Sequence, residues 1–240
     1  MNNFRQRLRC ISLEVRFQIS CRCHLWLLMT PFTWKRKRRF RARPESVAEE
    51  ARVSAHLDLV IDGFPGSANS FATRAFRAMQ EKKILVGNHY HSPAETVRAA
   101  RMGIPVLMTL RRPADSVSSM VRRWPFVPYE SALRWYLMFY EAIEPYLDQM
   151  IVSDFAVTTK KLPEVVAGLN AKFGTAFEAQ LSPGRMAEFE PRLQQTPAER
   201  EERELQKGKI ETSYLRETTA RRRGAAEAIY ERLASRSFRG

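Results

Sequence analysis

Three short stretches of this 240-residue chain carry residue types able to bind an anion or move a proton. The first is Asp62-Gly63-Phe64-Pro65-Gly66-Ser67-Ala68-Asn69-Ser70-Phe71, where a β-branched run gives way to helical spacing. Small residues there let backbone N–H groups approach an anion, and the N-terminus of the following helix adds the positive end of its dipole, so phosphate or sulfate is the expected ligand class. Against the nucleotide-binding pattern G-x-x-x-x-G-K-[ST], Gly63 and Ser70 fit. Ala68 stands in place of the second glycine and Asn69 in place of the lysine, which argues against a Walker-type ATPase or kinase. Taken alone, the stretch reads equally well as a tight turn with a serine N-cap.

The second stretch, Asn88-His89-Tyr90-His91-Ser92-Pro93, holds two of the four histidines and follows a short apolar run. If that run is a strand of an open α/β sheet, both imidazoles fall at its carboxyl end, where such sheets place their ligand crevice. The bland alternative is that one histidine caps the helix beginning at Pro93 and the other is merely exposed. Only Glu95 lies within metal-ligand spacing of the pair, so no metal site is expected. The third stretch, Leu110-Arg111-Arg112-Pro113-Ala114-Asp115-Ser116-Val117-Ser118-Ser119, puts an arginine at a strand end and hydroxyls on the next helix. Arg111 and Ser119 can share one phosphate, the guanidinium by a bidentate charge-assisted bond.

The elements that must position these residues alternate. Leu59 to Ile61 reads as a first strand, a helix starts near Ser67, and Ile84 to Val86 is a second strand. Pro93 to Met102 is a second helix, and Ile104 to Leu110 a continuous apolar strand of the kind buried in a parallel sheet. A helix from about Ala114 to Arg123 follows, then a Pro-broken connection and an aromatic-rich helix in which Trp135, Tyr136 and Phe139 recur at helical spacing as core. Met150 to Ser153 is a fourth strand, and LPEVVAGLNAKFG a helix ended by Gly174. Residues 45–57 also have helical spacing. Beyond Phe177 the chain turns polar: Glu199 to Lys207 reads as a solvated helix or linker, whereas Ala225, Ile229 and Leu233 can dock a last helix. The expected class is α/β, a parallel sheet flanked by helices, with an α/β domain at 45–180 and a charged helical extension at 181–240.

The net charge of +14 belongs mostly to residues 1–44, which hold 12 basic residues and one acid, Glu14, leaving 28 basic against 25 acidic elsewhere. This places the basicity in an N-terminal arm and removes the main argument for a specific nucleic-acid site. The arm is expected to be solvated and poorly ordered, with weak contact to anionic surfaces at most, and is consistent with upstream translation ahead of Met29. Its apolar run HLWLLMTPF is far shorter than the ~20 residues a spanning helix needs. All three cysteines, Cys10, Cys21 and Cys23, lie in it with neither zinc nor redox spacing, so reduced thiols and a cytoplasmic location are expected.

Taken in order, the three stretches resemble the sulfotransferase family, which transfers a sulfuryl group from 3'-phosphoadenylyl sulfate (PAPS). The family loop Y-P-K-S-G-T-T-W is similar to Phe64-Pro65-Gly66-Ser67-Ala68-Asn69-Ser70-Phe71, its T-H-x-P to Tyr90-His91-Ser92-Pro93. Its 3'-phosphate signature R-x-P-x-D-x-x-x-S is matched at every fixed position by Arg111, Pro113, Asp115 and Ser119. The resemblance covers about residues 59–177. It implies PAPS as donor without a metal, a small-molecule or carbohydrate hydroxyl (or an amine) as acceptor, and His91 as base with His89 beside it. It further implies a cofactor loop of Gly63, Pro65, Gly66, Ser67, Ala68, Asn69 and Ser70, with Ser67, Asn69 and Ser70 donating from their side chains, and Arg111 and Ser119 on the 3'-phosphate. Gly66 departs from it, standing where the family has a lysine that contacts the transferred group; Arg74, Lys82 and Arg112 are the candidate substitutes. Arg222-Arg223-Gly224 is a loose match to a C-terminal segment that helps hold the 3'-phosphate. The alternative is a catalytically inactive descendant that binds a nucleotide or a partner.

Overall fold

The computed structural model describes residues 2–33, 52–180, 208 and 210–239. Four strands, β1 (Leu59–Gly63), β2 (Val86–Asn88), β3 (Val106–Leu110) and β4 (Ile151–Asp154), form one sheet in the order β2-β1-β3-β4, every pair parallel. Alternate strand residues go to opposite layers. Leu59, Ile61 and Leu107 join Ala72, Phe76 and Met79 of helix α2 (Asn69–Met79) and Val165, Val166 and Leu169 of α7 (Leu162–Phe173). Val60, Met108 and Leu110 face the larger layer. It is built from α1 (Asn2–Ser20), α3 (Pro93–Arg101), α4 (Pro113–Arg123), α5 (Tyr129–Ile143) and α8 (Ala220–Ser235). Because both faces are covered, the strands read as unbroken apolar runs. A short α6 (Phe155–Lys160) follows β4, capped by the Asp154 carboxylate on the Ala156 N–H at 2.9 Å.

Helix signals behave as their chemistry requires. Ser92 caps α3 ahead of Pro93, and Gly174 ends α7 in the left-handed region at φ 67°. Trp135, Tyr136 and Phe139 are fully buried. Phe238 donates its backbone N–H to Val152 O at 2.8 Å, covering the outer edge of β4.

Five expectations are corrected. The second strand begins two residues late, at Val86, since Leu85 instead donates its N–H to the Asp58 carboxylate at 2.7 Å. The helix after β1 starts at Asn69 rather than Ser67, because Ala68 adopts φ 77° as its N-cap. On α8 Ile229 and Leu233 dock as expected, but Ala226 and Tyr230 join them in place of Ala225, which is exposed. The largest correction is the N-terminal segment. Residues 2–20 are helical, Cys23–Met29 form a 3-10 turn, and Phe17 is buried, stacked on Trp135 at 4.9 Å between ring centroids. Averaged composition hid the stripe Cys10, Leu13 and Phe17, which packs into the core. Of the helix expected at 45–57, residues 52–57 are irregular and the rest lies outside the described residues, as does Glu199 to Lys207. No helix among the described residues is long and apolar enough to cross a membrane.

Candidate functional site

The sheet changes direction between β1 and β3, since β2 lies on one side of β1 and β3 on the other. That is the topological switch point, where a crevice opens at the carboxyl ends of the strands. All three motifs converge there.

The loop from Gly63 to Ala68 closes tightly over β3. A Cβ on Gly63 would lie 2.4 Å from both the carbonyl oxygen and Oγ1 of Thr109, so only glycine fits. Ser67 Oγ donates to Phe64 O at 2.6 Å, Asn69 Nδ2 to Gly63 O at 3.1 Å, and Thr109 Oγ1 to Asn69 Oδ1 at 2.5 Å. Tyr140 of α5 accepts from the Phe64 N–H at 3.4 Å and donates to Thr109 O at 3.0 Å. Burial pushes the Tyr140 phenol up, keeping it a neutral donor. The Ser67 and Asn69 side chains, expected to face an anion, are therefore turned under the loop to brace it. The groups left for an anion are backbone N–H groups at the start of α2, which have no intrahelical acceptor, and Ser70.

Ser70 Oγ lies 3.2 Å from His89 Nε2, and the His89 and His91 rings meet edge to face at 5.5 Å. The expected extended exit from β2 is not what brings them together. His89 and His91 both have positive φ, 54° and 45°, and the Tyr90 ring folds back so closely that a Cβ on Gly87 would lie 2.5 Å from its hydroxyl. Left-handed non-glycine residues are strained, and two in three residues mark a segment shaped by its surroundings. Those surroundings are Asp62, fully buried, whose carboxylate accepts from the His91 N–H at 3.0 Å, the Ser92 N–H at 3.3 Å and Thr96 Oγ1 at 3.2 Å. His91 Nδ1 sits 2.7 Å from Gly63 O. A carbonyl only accepts, so Nδ1 carries a proton, and in the neutral ring the lone pair is on Nε2.

On the β3 side Arg111 donates from Nη1 to Gly66 O at 3.0 Å, stands 4.1 Å over the Phe155 ring and lies 3.8 Å from Asp115. Tyr136 Oη fixes the Arg111 carbonyl at 2.8 Å. Gly66 has φ 92°, and a Cβ there would meet Ser119 Cβ at 2.8 Å and Ser116 O at 3.0 Å. Arg111, Ser119 and the loop thus meet at one point. Pro65 is buried beside it.

None of the three candidate cations stands in place of the absent lysine. Arg112 pairs with Glu227 and Glu231 of α8 at 3.8 and 3.7 Å. Arg74 is exposed and bonded to Ser70 O at 3.3 Å, and Lys82 precedes β2 at the opposite end of the sheet. Arg222 pairs with Glu130, and Arg223 donates to Leu215 O and Thr218 O near the start of α8, so the loose C-terminal match does not serve the crevice. What holds α8 near it is Tyr230, whose hydroxyl donates to Asp154 at 2.8 Å.

Sequence reasoning missed the N-terminal contribution. Arg16 of α1 donates to the carbonyl of Tyr90, between the two histidines, and Phe17 packs 5.9 Å from Phe64. The available signal was the spacing of Leu13, Phe17 and Ser20. Cys10, Cys21 and Cys23 form no disulfide, and burial raises the thiol of Cys21 to about 12. Among the described residues no group of three or more His, Cys, Asp or Glu is gathered as a metal site.

No protein-family model matches the chain, and no curated protein does. One solved structure, mouse sulfotransferase SULT7A1 complexed with PAP, aligns at 11% identity and a TM-score of 0.39, over 58% of this chain and 64% of that one. So loose a likeness carries no weight; the functional reading rests on this chain's own residues.

Proposed function

We propose that this chain is a PAPS-dependent sulfotransferase whose base is His91. The observation that carries the reading is the meeting of Arg111 and Ser119 with the Gly63–Ser70 loop at Gly66, with His91 Nδ1 bonded to Gly63 O of the same loop. A 3'-phosphate finds a guanidinium and a hydroxyl, and a 5'-phosphosulfate finds the N–H groups opening α2. His91 Nε2 takes the proton of the acceptor hydroxyl as its oxygen bonds to sulfur, and the bond from sulfur to the bridging phosphate oxygen breaks, releasing 3',5'-diphosphoadenosine. Asp62 holds the segment that carries the imidazole.

A second reading, a nucleotide-binding protein without transfer, is favoured by Gly66. The volume a side chain would need there is filled by Ser119 and Ser116, and the family's lysine contact is missing. One lost electrostatic donor is worth ~3 to 4 kcal/mol in other enzymes. The two readings separate on turnover. Release of 3',5'-diphosphoadenosine from PAPS, followed across a panel of phenolic, alkyl and carbohydrate hydroxyls and amines, should depend on acceptor and fall by about 100-fold in His91→Ala with nucleotide affinity unchanged. Nucleotide binding with no acceptor-dependent release on any member of the panel selects the second reading.

A further inference from the structure

The helix that completes the core has a second, exposed apolar face that no other described residue covers. On α1, Phe4, Leu8, Ile11 and Val15 are 67, 50, 58 and 43% exposed. At 3.6 residues per turn these four fall within an arc of about 60°, opposite the side that carries Leu13 and Phe17. Leu27 and Leu28 on the adjoining 3-10 turn are exposed as well. Arg5 and Arg7, both exposed, fall one on each side of the stripe, and Arg9 lies on the same exposed turns. The only acid on the helix, Glu14, lies on the Arg7 side of the stripe and is held by Arg134 and by Trp135 Nε1 at 2.7 Å.

We propose that this face of α1 docks the protein on an anionic lipid surface. An apolar stripe edged by arginines is the pattern of a helix lying in the interfacial plane, its apolar side chains among the acyl chains and its guanidinium groups at the headgroups. Charge favours such a surface over a second copy of the chain as occupant. Two such stripes packed in parallel would bring Arg5 and Arg7 of one copy against those of the other, whereas an anionic surface complements all of them in any orientation. Docking on this face leaves the inner face in place, because the two sets of side chains are on opposite sides of the helix. The inference is independent of the reaction the crevice performs.

Vesicle co-sedimentation of the full chain tests it, with phosphatidylcholine vesicles compared against phosphatidylcholine mixed with phosphatidylglycerol. The chain should bind the mixed vesicles and barely the neutral ones. Ile11→Glu should weaken that binding by about tenfold or more while the melting temperature stays where it was. Should Ile11→Glu disturb folding, Arg5→Gln combined with Arg7→Gln addresses the same face from its polar edge and should weaken binding severalfold, most at low salt. Three results overturn the proposal: no association with mixed vesicles, association that neither variant weakens, or a dimer in sedimentation equilibrium that Ile11→Glu dissolves.

Discussion

At Gly66 the chain departs from the sulfotransferase loop and the backbone shows why restoring a lysine is costly. With φ at 92° and Ser119 Cβ 2.8 Å from any added Cβ, Gly66→Lys should lower stability by ~1 to 3 kcal/mol and lower the melting temperature, measured by calorimetry. An unchanged melting temperature would mean that α4 yields at Ser119. The histidines separate by their partners: His91 is held at Nδ1 by Gly63 O, His89 faces Ser70, so His89→Ala should cost turnover much less than His91→Ala in a PAPS release assay. At this scale residue types were legible and orientations were not. The motif at Arg111 and Ser119 needs only spacing to be recognised. Ser67 and Asn69 look like anion ligands in one dimension, yet Thr109, 42 and 40 residues away, captures both side chains. The left-handed turns at His89 and His91 depend on the Tyr90 ring over Gly87 and on Asp62, neither of which a local pattern encodes.

Among the elements, α1 is the one the sequence concealed. Its inner stripe is short and lies among arginines, so composition describes a solvated arm, and only the complementary surface of α5, with Trp135 facing Phe17, turns it into core. Phe17→Ala should therefore destabilise the whole domain by ~3 to 5 kcal/mol, a fall in melting temperature on the order of 10 °C. The strands and the remaining helices were legible because parallel strands covered on both faces leave unbroken apolar runs, and their caps are local chemistry. Glu14 gives α1 a pH dependence. Burial pushes its carboxyl up, but hydrogen bonds from Gln18 and Trp135 and the Arg134 guanidinium outweigh this and hold it below its ordinary value of 4.5. A carboxylate whose folded value is lowered stabilises fully above the unfolded value, and that contribution is lost as pH falls through the folded one. The difference in melting temperature between wild type and Glu14→Gln should be constant from neutral pH down to about 5 and shrink toward zero below about 4. A difference that does not change with pH would mean that the Glu14 charge plays no part in docking α1.

For the molecule as a whole, one sheet gathers residues from four separate stretches at its switch point, and helices from both ends of the chain close over the same layer. The N-terminal helix reaches the Tyr90 carbonyl and the C-terminal helix reaches Asp154, so the crevice is framed by segments far apart in sequence. The proposed function requires that this crevice recognise a nucleotide by its 3'-phosphate. Calorimetric titration of 3',5'-diphosphoadenosine against AMP addresses it without knowledge of the acceptor. The diphosphate should bind more tightly and Arg111→Ala should lose that preference, equivalent to the ~1.5 to 3 kcal/mol of a charged hydrogen bond. Equal affinity for the two nucleotides in the wild-type chain would contradict it.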